Sequence, residues 1–186
     1  MKPRLIFLLL LGAVQTLWAT PVEIILLRHG EKPLRHSDVN LSERGRERAL
    51  ALAPFLTTNN VVIAHGLPVA LFAPQSSARG HGRRPEETLE PLARKLKLSI
   101  QTPVGPGDYA ELARRILNDP ALDGKTVVIC WVHEFLPNFA RALGVKHKPR
   151  HWKDDVYDRV WVITYGKHGA TLSDVPQHLL PGDSNH

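Results

Sequence analysis

The sequence predicts a three-layer α/β/α sandwich built on a mainly parallel sheet. Short apolar, strand-like runs alternate with amphipathic helical segments of roughly ten to fifteen residues, which is the pattern of βαβ units. The two most apolar runs, at 21–27 and 127–132, have the composition of strands buried on both faces. No internal repeat and no linker divides the 186 residues, so we expect a single folded domain.

The composition is that of a globular protein. With 43% hydrophobic and 23% charged residues, it excludes disordered, collagen-like and disulfide-scaffold classes. The chain has one cysteine, Cys130, so an intramolecular disulfide cannot form. The sequence also lacks a Cys/His cluster with zinc spacing, and the apolar core must therefore stabilise the domain without such a crosslink.

Residues 1–19 read as a signal peptide that precedes a domain at 20–186. A cationic start is followed by an apolar run from Leu5 to about Val14 and by Ala19, a small residue at which a signal peptidase could cut. The run is shorter than the roughly 18 to 20 residues that span a bilayer, and an uncleaved anchor is the alternative. We expect an exported protein without stable membrane anchoring after cleavage, periplasmic in a Gram-negative bacterium and otherwise secreted.

The first half of the domain begins with a strand at 21–27, which we place centrally in the sheet because it is apolar throughout. The apolar period then changes at 41–55, where Ser42 can cap an amphipathic helix. Two short strands are predicted next, at 61–64 and 69–73.

The second half continues the alternation. The predicted elements are, in chain order, a helix with Pro85 in its first position, a short strand at 98–102, a helix beginning at Asp108, a strand at 127–132, a helix ending at Gly144 and a strand at 160–165. Residues 166–186 are polar and interrupted by Gly and Pro, and we assign them as a C-terminal tail without a predicted element.

Two of the buried strands end in a histidine, His29 after the first and His133 after the one at 127–132. Open α/β sheets bind ligands at the carboxyl ends of their strands, so both imidazoles are placed where a site belongs. Arg28 precedes the first histidine, and Gly30 follows it and allows a close approach of the backbone to a ligand. An arginine and two histidines beside a helix start predict a pocket for a tetrahedral anion.

Four motifs carry a resemblance to a known family. LLRHGEKP, LSERG, RRPEETLEPLA and VVICWVHE occur in this order between about Val22 and Tyr165. This ordered set resembles the histidine phosphatase superfamily, which has the phosphoglycerate mutase-like fold. The resemblance implies that His29 is the nucleophile that becomes phosphorylated, and that Arg28, Arg84 and His133 form the phosphate pocket. It implies no metal and no cofactor.

The physical chemistry of these residues agrees with that assignment. A neutral imidazole can attack phosphorus, and a phosphohistidine divides the displacement into two steps in one pocket. Arg84 stands directly before a predicted helix, whose free N–H groups would also hold the anion. Arg84 is preferred because it alone stands in the Arg-x-x-x-Thr spacing of the family. Arg79 and His81 are expected to be substrate contacts or solvated loop residues.

The general acid has more than one candidate. A leaving alkoxide needs a proton, so a carboxylic acid should lie near the bridging oxygen. Glu134 follows His133 directly, and one branch of the family places its proton donor there, so we prefer it. The other branch takes an acid from the segment that here holds Asp108 and Glu111, although these two also match a helix capping box.

These observations predict a phosphomonoesterase acting on a small phosphorylated substrate, or on a phosphate carried by a larger surface component. The alternatives are a phosphomutase of the same family and a non-catalytic phosphate-binding or anion-binding protein. The formal net charge of +6, or +4 without residues 1–19, fits an anionic ligand. Nucleic acid is not expected as a partner, because no aromatic residues interleave with the basic loop residues.

Overall fold

A computed structural model describes residues 20–35, 38–77, 82–147, 149 and 151–184. The predicted signal peptide and two predicted substrate contacts, Arg79 and His81, lie outside these residues. Within the described part, one mixed sheet contains the strands β1 (Glu23–Arg28), β2 (Pro68–Phe72), β3 (Ile100–Gln101), β4 (Thr126–Trp131), β5 (Arg159–Gly166) and β6 (Gly169–Pro176). Their spatial order is β3-β2-β4-β1-β5-β6.

The sheet is parallel at its centre and antiparallel at one edge. β1 pairs with β4, β4 with β2 and β2 with β3 in parallel, whereas β5 pairs antiparallel with both β1 and β6. The central position predicted for the first strand is confirmed, since β1 lies between β4 and β5. A mainly parallel sheet is also confirmed.

Helices cover both faces of the sheet. They are α1 (Glu43–Thr58), α2 (Arg83–Leu96), α3 (Tyr109–Leu117) and α4 (Leu136–Ala142). One apolar cluster joins the sheet to α3 and α4, and a second joins it to α1 and α2, which gives the predicted three layers. None of the helices in the described residues is long and apolar enough to cross a membrane.

The register of the two central strands determines where the site forms. Every residue of β1 and β4 is buried, and Arg28 at the end of β1 pairs with Trp131 at the end of β4. The His29 amide continues this pairing by donating to the Trp131 carbonyl at 3.3 Å. Both strands therefore end at the same edge, and the histidines that follow them emerge there together.

Two local predictions in the first half are wrong. Residues 61–64 form turns rather than a strand, because the Asn59 side chain accepts hydrogen bonds from the amides of Val61 and Val62 and closes the chain locally. Pro85 is the third residue of α2 rather than the first, since that helix begins at Arg83 behind the left-handed Gly82.

The C-terminal segment is more ordered than its sequence suggests. Within the 166–186 tail, β6 forms a hairpin with β5 and adds an edge strand to the sheet. Its residues alternate between exposed and half-buried positions, so it lacks the apolar run by which the other strands were recognised. After β6 the chain turns back towards α1, where Asp183 contacts Arg48.

Candidate active site

A small cavity lies at the carboxyl ends of β1 and β4. Its volume is about 250 Å³, and it is lined by His29, Lys32, Gly82, Arg84, Pro85, Pro106, Val132 and Glu134. A larger cavity of about 490 Å³ lies between α1 and α2, but its lining contains no histidine. The smaller cavity is the candidate active site, because it holds His29 together with Lys32 and Arg84 at the carboxyl ends of parallel strands.

His29 is held in one tautomer. Its ring is buried, and Nδ1 lies 2.7 Å from the carbonyl oxygen of Gly30, so Nδ1–H donates and the proton stays on that nitrogen. The second ring nitrogen, Nε2, then carries a free lone pair. Burial lowers the pKa of His29 to about 3, and the positive charges of Arg28 and Arg84 contribute to this shift. The imidazole is thus neutral at ordinary pH, as a nucleophile must be.

The loop that carries His29 is tied to the first turn of α2. The Gly30 amide donates to the Thr88 hydroxyl at 2.9 Å, and that hydroxyl donates to the Arg84 carbonyl at 2.7 Å. Thr88 is buried, so this relay is shielded from water. The Arg-x-x-x-Thr spacing therefore has a structural meaning, since one helical turn separates the arginine from the hydroxyl that positions Gly30.

Arg28 is fully buried beneath the segment that follows residue 152. Its Nη1 donates to the carbonyl oxygens of Lys153, Asp154 and Val156 at 3.1, 2.8 and 2.9 Å. The Tyr157 ring covers the guanidinium, with 3.8 Å from Cζ to the ring centroid. Its Nε and Nη2 atoms are buried and have no hydrogen-bond partner among the described residues. Arg28 therefore has two buried nitrogen atoms without a partner in this part of the chain, although it does not line the cavity.

Arg84 lies in the first turn of α2 and lines the cavity. Its Nε donates to the Asn40 carbonyl at 3.0 Å, and its Nη2 donates to the Asp38 carbonyl. These bonds fix the orientation of the guanidinium. The free amides of a helix start also favour an anion. Lys32 also lines the cavity, and burial together with the charges of Arg28 and Arg84 lowers its pKa.

His133 begins a short 3-10 turn, His133–Phe135, directly after β4. The ring is buried, and its Nε2 lies 2.7 Å from Oδ1 of Asp154, whereas Nδ1 is buried without a partner among the described residues. Burial and the charge of Arg28 lower the pKa of His133, and the hydrogen bond to Asp154 opposes this shift. A bound anion would act in the same direction as Asp154 and favour the imidazolium.

The three possible general acids have different surroundings. Glu134 lines the cavity. Glu111 lies on α3, where Arg114 and Arg115 each donate to it at 2.8 Å and lower its pKa to about 2, so it stays ionised. Asp108 is exposed, does not line the cavity and makes no capping hydrogen bond, so the predicted capping box is absent. The structure therefore brings only Glu134 of these three to the cavity.

A buried ionic cluster lies behind the nucleophile loop. Glu31 accepts hydrogen bonds from Nε and Nη2 of Arg48 at 3.0 and 2.8 Å, and Arg48 also binds Asp183. The Glu31 carbonyl accepts from the Ser42 amide at 2.9 Å, which joins the same loop to the start of α1. Glu31 thus joins the loop that carries His29 to α1 and to the C-terminal segment.

The structure brings most of the sequence-predicted residues together. His29, Arg84 and Glu134 line one cavity, whereas Arg28 and His133 are buried and do not line it. The charge of Arg28 acts on His29, and that of Lys32 acts on His133. Sequence reasoning missed Lys32, Asp154 and Tyr157. Lys32 stands only three residues after His29, which was a usable signal. The segment around Asp154 has no periodicity that would indicate its position over Arg28.

The described residues contain no group of three or more His, Cys, Asp or Glu side chains that could hold a metal ion. The single cysteine, Cys130, is fully buried in β4, and burial raises the pKa of its thiol, as expected for an unreactive core residue.

Comparison with known proteins places the fold. No protein-family model and no curated protein sequence matches this chain. Among solved structures, it is similar to a protein of Escherichia coli described as an alpha-ribazole-5′-P phosphatase, with a TM-score of 0.55, 13% identity and coverage of 88% of this chain and 100% of that chain. It is also similar to a phosphoserine phosphatase mutant of Entamoeba histolytica in complex with phosphoserine, with a TM-score of 0.54, 13% identity and coverage of 84% and 97%.

A third similar structure is a phosphoglycerate mutase of Bacillus anthracis, with a TM-score of 0.52, 15% identity and coverage of 84% of this chain and 93% of that chain. At these identities the likeness concerns the fold. The chain therefore has a phosphoglycerate mutase-like fold, and the fold that its motifs implied is confirmed.

Proposed function

We propose that this protein is a phosphomonoesterase that hydrolyses its substrate through a phosphohistidine on His29. The observation that carries the proposal is the state of that ring. Nδ1–H donates to the Gly30 carbonyl and leaves the lone pair of Nε2 free, and the same ring lines a cavity with Arg84, Lys32 and Glu134. A fixed, neutral imidazole beside several cations is what in-line attack on a phosphoryl group needs.

In the first step, the phosphoryl oxygens are held by the two free donors of Arg28, by Arg84 and Lys32 and by His133 as an imidazolium. Nε2 of His29 attacks phosphorus, and the bond from phosphorus to the leaving oxygen breaks. Glu134 acts as the general acid and gives a proton to that oxygen, so the product leaves as an alcohol.

In the second step, Glu134 acts as a base. Its carboxylate takes a proton from water while the water oxygen attacks the phosphohistidine. The P–N bond breaks, the electron pair returns to Nε2, and inorganic phosphate forms. His29 is again neutral and Glu134 has regained the proton that it gave in the first step, so the site is ready for another turnover.

The direct test is phosphate release from p-nitrophenyl phosphate by the purified chain without residues 1–19. His29→Ala should abolish release, because no other group replaces the nucleophile. His168→Ala is the matched control, since His168 is an exposed residue in the turn between β5 and β6. Equal activity in both variants would overturn the mechanism. Phosphate binding by the wild type without turnover would instead favour the anion-binding alternative.

Metal independence is part of the proposal. The cations that neutralise the phosphoryl group are arginine and lysine side chains. Activity should survive incubation with a chelator, and a loss reversed only by a divalent ion would contradict this mechanism.

The substrate and the location of the protein are also proposals. We infer a small phosphorylated substrate, or a phosphate on a surface component, with Arg79 and His81 as contacts beyond the phosphate pocket. Export through cleavage after Ala19 can be tested by N-terminal mass spectrometry of the protein recovered from its natural host. Recovery of the chain with residues 1–19 attached to membranes would favour the anchor alternative.

A further inference from the structure

The carboxylate of Asp154 contacts one of the two histidines that the proposed mechanism assigns to the phosphoryl group. Its Oδ1 lies 2.7 Å from Nε2 of His133. A carboxylate only accepts hydrogen bonds, so Nε2–H of His133 donates to Asp154. The other ring nitrogen of His133, Nδ1, has no partner among the described residues. Arg28 and Lys32 add positive charge close to the same carboxylate.

The segment that carries Asp154 also covers the second phosphate-binding group. Three carbonyl oxygens of residues 153–156 accept from Nη1 of Arg28, and the Tyr157 ring lies over its guanidinium. The remaining donors of Arg28 and Nδ1 of His133 are buried with no partner in the part of the chain that the structure describes. Among the described residues, the carboxylate of Asp154 is the anionic group in hydrogen-bonding contact with His133.

Asp154 differs from the groups around it in exposure. Its side chain is 83% exposed, whereas that of His133 is 9% exposed. A carboxylate that is mostly in water can rotate away from the site at small cost, because it loses little besides one hydrogen bond. A residue that holds a histidine in a fixed orientation is usually packed and makes further hydrogen bonds of its own.

We propose that Asp154 is an internal competitor for the phosphoryl site, occupying Nε2 of His133 until a phosphorylated substrate displaces it. This inference rests on the proposed function, because it takes His133 as a phosphate contact. A carboxylate a few ångströms from a bound dianion repels it, so Asp154 weakens the binding of every phosphate species. It thereby limits inhibition by inorganic phosphate, the product that must leave after each turnover.

The test compares Asp154→Asn and Asp154→Ala with Asp155→Asn. The first variant removes the charge and keeps the shape, and the second removes the contact altogether. Asp155→Asn makes the same change of charge one residue along, at a side chain that lines a different cavity with Arg44 and Asp158. Binding of inorganic phosphate is measured by calorimetry, and the inhibition constant of phosphate is measured with p-nitrophenyl phosphate.

Both Asp154 variants should bind phosphate more tightly by about tenfold, the size expected for loss of a partly screened charge near the ligand. Asp155→Asn should change binding by less than about threefold, since it shares only the long-range part of the effect. The thermal midpoints should remain close to that of the wild type, because Asp154 is exposed.

Weaker or unchanged phosphate binding in the Asp154 variants would overturn the inference, and a weakening would identify Asp154 as an orienting residue instead. An equal gain in Asp155→Asn would also overturn it, since net charge alone would then explain the result. The calorimetric measurement does not require turnover. Tighter phosphate binding with no hydrolysis in any variant would therefore refute the proposed function while supporting competition by Asp154.

Discussion

Nη2 of Arg48 lies 2.7 Å from Oδ1 of Asp183, 135 residues further along the chain. Both side chains are buried, at 2% and 4% exposure. Arg48 also binds Glu31, two residues after the proposed nucleophile, at 2.8 Å. The C-terminal segment therefore reaches the loop of His29 through the buried guanidinium of Arg48, and the more exposed Arg44 contacts the same two carboxylates at 3.2 and 3.5 Å.

The first prediction concerns this contact. Asp183→Asn should lower the free energy of unfolding by roughly 2 to 3 kcal/mol, because a buried, charge-assisted pair is weakened while Arg48 stays in place. Asp174→Asn is the matched control, since Asp174 also lies 2.7 Å from an arginine but is 47% exposed. That variant should lower the free energy of unfolding, measured by chemical denaturation, by less than about 1 kcal/mol. Equal losses would show that burial does not determine the strength of the Asp183 contact.

A second prediction concerns the packing behind the nucleophile loop. A Cβ atom on Gly45 would lie 2.6 Å from the Glu31 carbonyl oxygen and 2.8 Å from the Glu31 amide. Gly45→Ala should therefore push the loop away from α1 and lower the free energy of unfolding by roughly 1 to 3 kcal/mol. Because the same loop carries His29, kcat should also fall. Gly107→Ala is the control, because a Cβ there meets nothing within 4 Å. If Gly45→Ala keeps full stability and activity, the close approach of these backbones is not important.

The third prediction follows from the depressed pKa of His29. The pKa of His29 is about 3 in the folded protein and about 6.5 in the unfolded chain. Between these two pH values the unfolded chain therefore binds a proton at His29, whereas the native protein does not. The contribution of His29 to stability is therefore complete above pH 6.5 and is lost as the pH falls. Between pH 7 and pH 5 the free energy of unfolding of the wild type should fall by roughly 1 to 2 kcal/mol more than that of the His29→Asn variant. Parallel stability curves for the two proteins would contradict this.

The fourth prediction separates the possible general acids. Glu134→Gln should reduce kcat for an alkyl phosphate by roughly 10² to 10⁴, since an alkoxide leaves poorly without a proton. The same variant should affect p-nitrophenyl phosphate much less, because its leaving group needs little protonation. Glu111→Gln is the control and should leave both rates unchanged, as Glu111 pairs with two arginines on α3. A large loss in Glu111→Gln alone would assign the proton donor to α3.

Much of the fold could be predicted because the buried strands are unusually plain in sequence. β1 and β4 are almost continuously apolar, which made both strands and their ends recognisable in the sequence. The histidines lie just beyond these ends, so their positions at the edge of the sheet could be predicted. Arg84 could be chosen among the arginines of its loop because Thr88 follows it by four residues, a spacing of about one helical turn. These features depend on local sequence.

The features that sequence reasoning missed depend on tertiary contacts. β6 is an exposed edge strand whose pairing with β5 is made by backbone atoms, which leaves little apolar signal. Residues 61–64 have a strand-like composition, yet the Asn59 side chain closes a turn there. Asp154 and Tyr157 take their positions from contacts with Arg28 and His133 across the molecule, and no spacing along the chain encodes those contacts.

The most direct test of the account is to trap the covalent intermediate. Wild-type protein mixed with a phosphorylated substrate and quenched in base within milliseconds should carry one phosphoryl group, stable to base and labile to acid. Peptide mass spectrometry should place that group on His29, and the His29→Ala protein should carry none. A phosphoryl group on another residue, or turnover with no phosphorylated protein at any quench time, would contradict the account.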